Sequence, residues 1–230
     1  MLKYTGDQSF YPRLNWFLLQ PTSLEVALHK GIGANMFKSY EFWKDGIKVK
    51  AVKELNTYTG QVKLHYQMCR SAQFAAFEFL FGTQALVFQE TDAKNFLSQK
   101  SKNLEVTKFF DCVQTAAKGY IMMDENQPLP LFYLLPLLRI TEGSIEAIAD
   151  LPQITPQDFE GLFCRFWLDN QFKGEVDLTQ LRQKSPLTFF KISETQLPHL
   201  LPHFDVQERY TSTVIRPKTN KTIETLAYEL

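Results

Sequence analysis

Cysteine is scarce in this 230-residue chain, and so are glycine, net charge and long apolar runs. The three cysteines, Cys69, Cys112 and Cys164, form no paired-thiol motif. An odd count of isolated thiols excludes a disulfide framework and suits a reducing compartment. Ten glycines exclude a collagen-like repeat, and 44% apolar content with a formal net charge of zero excludes a disordered chain. The longest apolar run, Leu129 to Leu138, contains Pro130 and Pro136 and falls well short of the roughly twenty residues a bilayer span needs. The first seven residues hold no apolar signal-peptide core. A soluble, cytoplasmic protein with no membrane span is the expectation.

Phenylalanine, by contrast, is plentiful: 20 Phe stand beside 9 Tyr and 3 Trp. Phe has no polar handle, so it serves burial, in a core or against a partner, rather than acid–base chemistry. The balanced charge is also unevenly spread. Residues 1–115 hold 14 Lys/Arg against 10 Asp/Glu, and residues 116–230 hold 11 against 15, a split of +4 and −4. Between 30 and 70 eight cations face three acids. That local excess points to an acidic partner on one face.

The fold class expected is α+β, with a sheet-rich N-terminal half followed by a mostly helical C-terminal half. Leu14 to Gln20 reads as a strand bounded by prolines. Alternation over Ile47–Ala51 and again over Gln61–Tyr66, across the turn-forming 56–60, predicts a hairpin. Residues 71–90 suit helix and strand equally. Helices are expected near Asp92–Gln99, capped by Thr91, and over Asn103–Lys118, stopping at Gly119. Charge, amide and proline over 124–130 mark a linker, giving domains 1–123 and 124–230 that are also able to pack as one. Beyond it, short helices are expected from Pro130 to Leu138 and from Ser144 to Asp150. The clearest signal is Thr155-Pro156-Gln157-Asp158, an N-cap with proline and an acid in the first turn. It precedes an apolar stripe of Phe159, Leu162, Phe163, Phe166 and Trp167. Strands at Glu175–Leu178 and Leu187–Ile192 complete a winged-helix-like element order from Leu129 to Ile192. The last twenty residues suit a hairpin around 217–220 or an extension with a helical turn.

No motif carries catalysis. Gly31-Ile32-Gly33-Ala34-Asn35-Met36 begins like a dinucleotide fingerprint but has Met36 at the third glycine. His199 and His203 share a His-x-x-x-His spacing, broken by Pro198 and Pro202, with no third ligand nearby. Glu90, Asp92 and Lys94 supply an acid-x-Lys fragment of the kind found in metal-dependent nucleases, without the second acid such a site needs. Cys164 lies between Phe163 and Phe166 with nothing to lower its thiol pKa. The acids of the 156–170 helix, Asp158, Glu160 and Asp169 against Arg165, would repel phosphates if that helix entered a DNA groove.

The favoured reading is a non-enzymatic interaction or adaptor subunit of a larger cytoplasmic assembly, with other protein chains as partners and no cofactor. Trp43, Lys44, Lys48, Lys50, Tyr58 and Trp167 are its candidate partner-facing residues, because interfaces enrich aromatics interspersed with charge. The alternatives are nucleic-acid binding through residues 38–70 and a metal-dependent nuclease or hydrolase.

Overall fold

The computed structural model describes residues 10–44, 54–71, 75–100, 105–121, 126–149, 154–182 and 184–228. The class is α+β: helices predominate, with two small antiparallel sheets. The chain divides into two compact units. Unit 1 holds residues 1–80 and 85–148; unit 2 holds 81–84 and 149–230. The division therefore falls at 148/149 rather than at the expected 123/124, and residues 126–148 belong with the first unit.

Unit 1 begins with helices where strands were expected. These are α1 (Leu14–Leu19), α2 (Leu24–His29), α3 (Ala34–Lys44) and α4 (Tyr58–Arg70). The alternation at Gln61–Tyr66 misleads because α4 is buried nearly all round: Gln61, Val62, Leu64, His65, Tyr66, Met68 and Cys69 all lack solvent exposure. A helix buried on every side has no polar face to set a 3.6-residue period. Its start is fixed locally. The Thr57 hydroxyl accepts from the Gly60 amide (3.1 Å), and a Cβ on Gly60 would lie 1.9 Å from the Glu54 carbonyl oxygen. What reads as a hairpin turn is a helix cap over a close backbone approach. The other half of the expected hairpin, Ile47–Ala51, lies outside the described residues.

The segment 71–90 resolves as α5 (Ala75–Phe81) followed by the short strand β1 (Val87–Phe88). Next come α6 (Glu90–Lys100) and α7 (Val106–Ala117), close to where the sequence places them, with a 3-10 turn over Lys118–Tyr120. The expected helix Ser144–Asp150 is a strand instead: β2 (Leu138–Thr141) and β3 (Ser144–Ala147) form a hairpin turned by Gly143 at φ 77°. β3 is central, paired with both β1 and β2. Pro130–Leu138 fails as a helix because Pro130 bridges to Arg13 and Pro136 removes a donor.

The phenylalanines are the core. Tyr120 stacks on Phe132 at 4.5 Å, Phe77 meets both rings, and Phe79 contacts Phe88, Phe96 and Phe109. Two buried polar side chains, Gln61 and His65, are answered within it. Gln61 donates to the Leu55 carbonyl (3.0 Å) and accepts from the Leu134 amide (2.9 Å), and His65 Nδ1 lies 2.7 Å from the Tyr120 hydroxyl.

Unit 2 opens with α8 (Pro156–Asp169), as its cap predicts: Thr155 Oγ1 accepts from the Asp158 amide at 3.1 Å. All five residues of the expected stripe are buried, and Phe163 and Trp167 pack on Phe204 at 5.2 and 5.5 Å. β4 (Val176–Asp177) follows, then α9 (Leu178–Leu181), α10 (Pro186–Phe189) and α11 (Leu197–Leu200). The expected strand Leu187–Ile192 is thus partly helical; all six of its residues are buried, so no alternation exists to support a half-exposed strand. β5 (Phe204–Glu208) and β6 (Thr213–Pro217) make a hairpin, and α12 (Asn220–Leu226) closes the chain. The sheet order is β4-β6-β5. The order helix, helix, helix, wing over 129–192 does not hold, because Pro130–Leu138 forms no helix and Ser144–Asp150 gives the strand β3, both in unit 1.

Candidate functional site

The helical start of unit 1 is shaped by its turns. Ser23 caps α2, its side chain accepting from the Val26 amide. At the other end Gly31 takes φ 75°, with Gly31 N–H donating to the Leu28 carbonyl (3.0 Å) and Ile32 N–H to Ala27 (2.9 Å). This is a Schellman stop, in which glycine supplies the left-handed residue and the two donors satisfy the last carbonyls. The Gly31–Gly33 fragment is therefore a helix-to-helix turn, and among the described residues the fingerprint reading has no parallel strand to serve.

That stop orients α2 with Ala27 inward and its leucines outward. Leu24 and Leu28 are 43% and 55% exposed, and Leu18 and Leu19 at the end of α1 are 50% and 38% exposed. Four of the large exposed hydrophobics thus fall within eleven residues, tied together where the Lys30 ammonium donates to the Leu19 carbonyl (2.5 Å). Large apolar side chains left exposed close together on a well-packed unit are candidates for an interaction site. The sequence pattern hides this face, since a leucine pair at i, i+4 is the ordinary signature of a core-facing helix.

The residues singled out from sequence fare differently. Trp43 is fully buried, with Nε1–H donating to the Phe10 carbonyl (3.0 Å) and its ring against Phe77. Trp167 is 2% exposed in the core of unit 2. Both are corrected from partner-facing to core residues: a charged neighbour in sequence says nothing of the ring's own exposure. Lys44 is exposed, its ammonium 5.6 Å from the Tyr40 ring centre, and Tyr58 is half-buried at the start of α4. Lys48 and Lys50 lie outside the described residues. Of the four that are described, the two tryptophans lie in cores and form no surface with Lys44 and Tyr58.

The remaining fragments have structural roles. Asp92 accepts from the Gln89 amide (2.9 Å) and Glu90 from the Thr107 hydroxyl (2.8 Å), so the acid-x-Lys stretch is a capped helix start. Among the described residues no three His, Cys, Asp or Glu side chains converge as a metal site. His203 donates its backbone N–H to Glu160 (2.8 Å), and its Nδ1 lies 2.9 Å from the same buried carboxylate. Burial pushes the Cys112 and Cys164 thiols up to about 12, with Glu160 adding to the effect at Cys164, the reverse of an activated nucleophile.

The acids of α8 are also reassigned. Asp158 accepts from Thr155 Oγ1 (2.7 Å) and the Tyr228 hydroxyl (2.9 Å), Glu160 holds His203, and Asp169 pairs with Arg165 (2.9 Å). They are held by intramolecular contacts, so they do not present the phosphate-repelling face that the sequence suggests. A polar hollow of about 490 Å³ lies in the same unit beside the β5–β6 hairpin. Its Arg182 pairs with Glu194 (2.7 Å), while the Thr179 hydroxyl and amide donate to Asp177 and hold that carboxyl below the usual range.

No protein-family model and no curated protein matches the chain. Two solved structures do, described as "SspB crystal structure" and "Magnesium ion-bound SspB crystal structure". The TM-scores are 0.70 and 0.71 at 13% identity, covering 97% of this chain and 86% of each of theirs. At that identity the likeness defines an α+β fold shared over nearly the whole chain. No helix among the described residues is long and apolar enough to cross a membrane.

Proposed function

We propose that the chain is a non-enzymatic interaction subunit of a cytoplasmic assembly, meeting another protein through the leucine face of α1 and α2. The exposure of Leu18, Leu19, Leu24 and Leu28 carries this reading. Interface energy concentrates where apolar side chains are desolvated together. The test is purification from the native source under gentle conditions, with the chain and its Leu24→Asp/Leu28→Asp variant side by side. A partner retained by the first and lost by the second, at equal thermal stability, is the expected result. A lone monomer, or equal retention by both, would sink the reading.

Unit 2 supports a second reading. Its order α8, β4, α9–α10, α11, β5, β6, with sheet order β4-β6-β5, supports a winged-helix reading in which the β5–β6 hairpin is the wing. Tyr210 stands fully exposed at the hairpin tip beside Arg209. Winged helices serve both protein and nucleic-acid binding, and a filter-binding titration against salt separates them. Affinity at low salt that vanishes with Arg209→Ala and Tyr210→Ala would favour nucleic acid. The magnesium named for one structural neighbour motivates a control on the metal-dependent alternative: a thermal shift with Mg²⁺ that Asp92→Ala removes would favour it.

A further inference from the structure

β5 ends the sheet of unit 2, which runs β4-β6-β5, so one of its edges pairs with no strand among the described residues. The hydrogen bonds around it fix which groups point that way. At the hairpin loop the Arg209 N–H donates to the Ser212 carbonyl (2.8 Å) and the Ser212 N–H to Arg209 (3.3 Å). Bonded and non-bonded pairs alternate along an antiparallel ladder. In the register Glu208↔Thr213, Gln207↔Val214, Val206↔Ile215, Asp205↔Arg216 and Phe204↔Pro217, the bonded pairs are therefore those of Gln207 and Asp205. Pro217 agrees with this phase, since it has no N–H to give, and the Phe204 N–H turns instead to the Leu201 carbonyl (3.0 Å). The N–H and C=O of both Val206 and Glu208 point out of the sheet, and among the described residues nothing bonds to them.

An open edge is a template for another strand, and charges that repel an incoming copy are a common block. Here the charges match instead. Asp205, Gln207 and Arg209 alternate onto one face of β5. Asp205 accepts from Arg216 through Oδ2 (3.1 Å), and Arg209 donates to Glu175 through one Nη. Neither side chain has another bond among the described residues, so Asp205 Oδ1 and the other Nη of Arg209 are free. We infer that β5 pairs antiparallel with β5 of a second copy, about a two-fold axis at Gln207. In that register Val206 and the partner's Glu208 exchange N–H and C=O bonds, symmetry repeats the exchange, and every outward group is used. Asp205 faces the partner's Arg209 at both ends, and the two exposed Gln207 amides lie opposite each other. Tyr210, fully exposed at the tip, comes level with the partner's Phe204. A two-fold axis at Val206 would set Asp205 against the partner's Gln207 and call on the Phe204 N–H that Leu201 already holds. Charge and hydrogen bonding thus select the same register.

A five-residue edge is a small interface, so the dimer should be transient, with a Kd on the order of 0.1 mM at low salt. Sedimentation equilibrium of the full chain, from about 10 μM to about 1 mM, reads it directly. Val206→Pro removes an outward N–H and spares the β5–β6 ladder, so it should abolish the dimer in a chain that still melts cooperatively. Asp205→Lys and Arg209→Glu each set like charges across the axis, and each alone should weaken dimerisation about tenfold. Mixed one to one, the two variants should dimerise again, because each substituted charge then meets its opposite. The leucines of α1 and α2 take no part, so Leu24→Asp/Leu28→Asp should leave the dimer unchanged. A chain that stays monomeric throughout would overturn the proposal, as would a dimer that Val206→Pro leaves intact or that the leucine variant dissolves. Folded single charge variants that dissociate and do not recover on mixing would overturn the pairing about Gln207.

Discussion

Gly161 in α8 leaves room for the aromatic ring of Tyr228. A Cβ there would lie 2.7–2.9 Å from that ring, whose hydroxyl donates to the buried Asp158 and whose backbone N–H donates to the Gly161 carbonyl. Gly161→Ala should expel the ring and cost about 1–3 kcal/mol, from overpacking and from a buried carboxylate losing a donor. Tyr228→Phe, which keeps the ring and removes the bond, should cost about 1 kcal/mol, both read by urea denaturation. A Gly161→Ala midpoint equal to wild type would show that the ring moves freely. The thiols give a pH dependence. Cys112 and Cys164 ionise near 9 when unfolded and near 12 when folded. Their raised pKa means that the unfolded chain sheds protons first. Stability should therefore be level below pH 9 and fall between 9 and 12. Cys112→Val with Cys164→Val should flatten part of that fall, read as melting temperature against pH.

Two ends of α8 show how much an element owes to local chemistry. Thr155→Ala should cost about 1 kcal/mol by removing the cap on Asp158 N–H, and more if Asp158 loses its second donor. At the other end Gln171 sits at φ 56°, with Phe172 N–H on the Trp167 carbonyl and Gln171 N–H on Leu168. This is the same Schellman stop that Gly31 makes, without glycine. Gln171→Gly should raise stability by roughly 0.5–1 kcal/mol, since an L side chain pays for the left-handed conformation. No change in melting temperature would argue that side-chain contacts offset that strain. This helix was legible from sequence because cap, proline, acid and stripe all agree. α6 and α7 were legible too. α4 was not, because burial on every side leaves a period that mimics a strand; β2 and β3 were not, because four-residue strands are too short for period to separate from a helical turn. The C-terminal hairpin forms around Tyr210 rather than residues 217–220, since the paired Arg209 and Ser212 close a two-residue loop. The leucine face of α1 and α2 left no sequence signal at all, because exposure is decided by which side of α2 Ala27 turns inward.

At the scale of the molecule, the charge asymmetry is milder than the sequence halves suggest. Unit 1 holds 16 Lys/Arg against 14 Asp/Glu and unit 2 holds 9 against 11, so the split is +2 and −2. The excess of cations between residues 30 and 70 is a local feature of the sequence, not a property of a whole unit. Unit 2 is also not one continuous stretch, for residues 81–84 belong to it. The Thr83 carbonyl accepts from the buried Lys191 ammonium (2.5 Å), and Gln84 donates to Leu187 and Thr188. A fragment of residues 149–230 lacks those acceptors. Lys191→Met should destabilise the full chain by about 1–3 kcal/mol, because it removes a charged donor to the Thr83 carbonyl from a buried position. An unchanged melting temperature would show that this bond contributes nothing to holding residues 81–84 in unit 2. The same four residues impose an order of assembly in time. At about 5–20 residues per second, a ribosome makes Thr83 several seconds before the chain that will close around it. Unit 1 is complete in sequence while a piece of its neighbour's core still waits for the other strands and helices to be synthesised. A nascent chain stalled in that interval carries a short segment with nowhere to fold, and that segment finds its place only once residues 149–230 have been made.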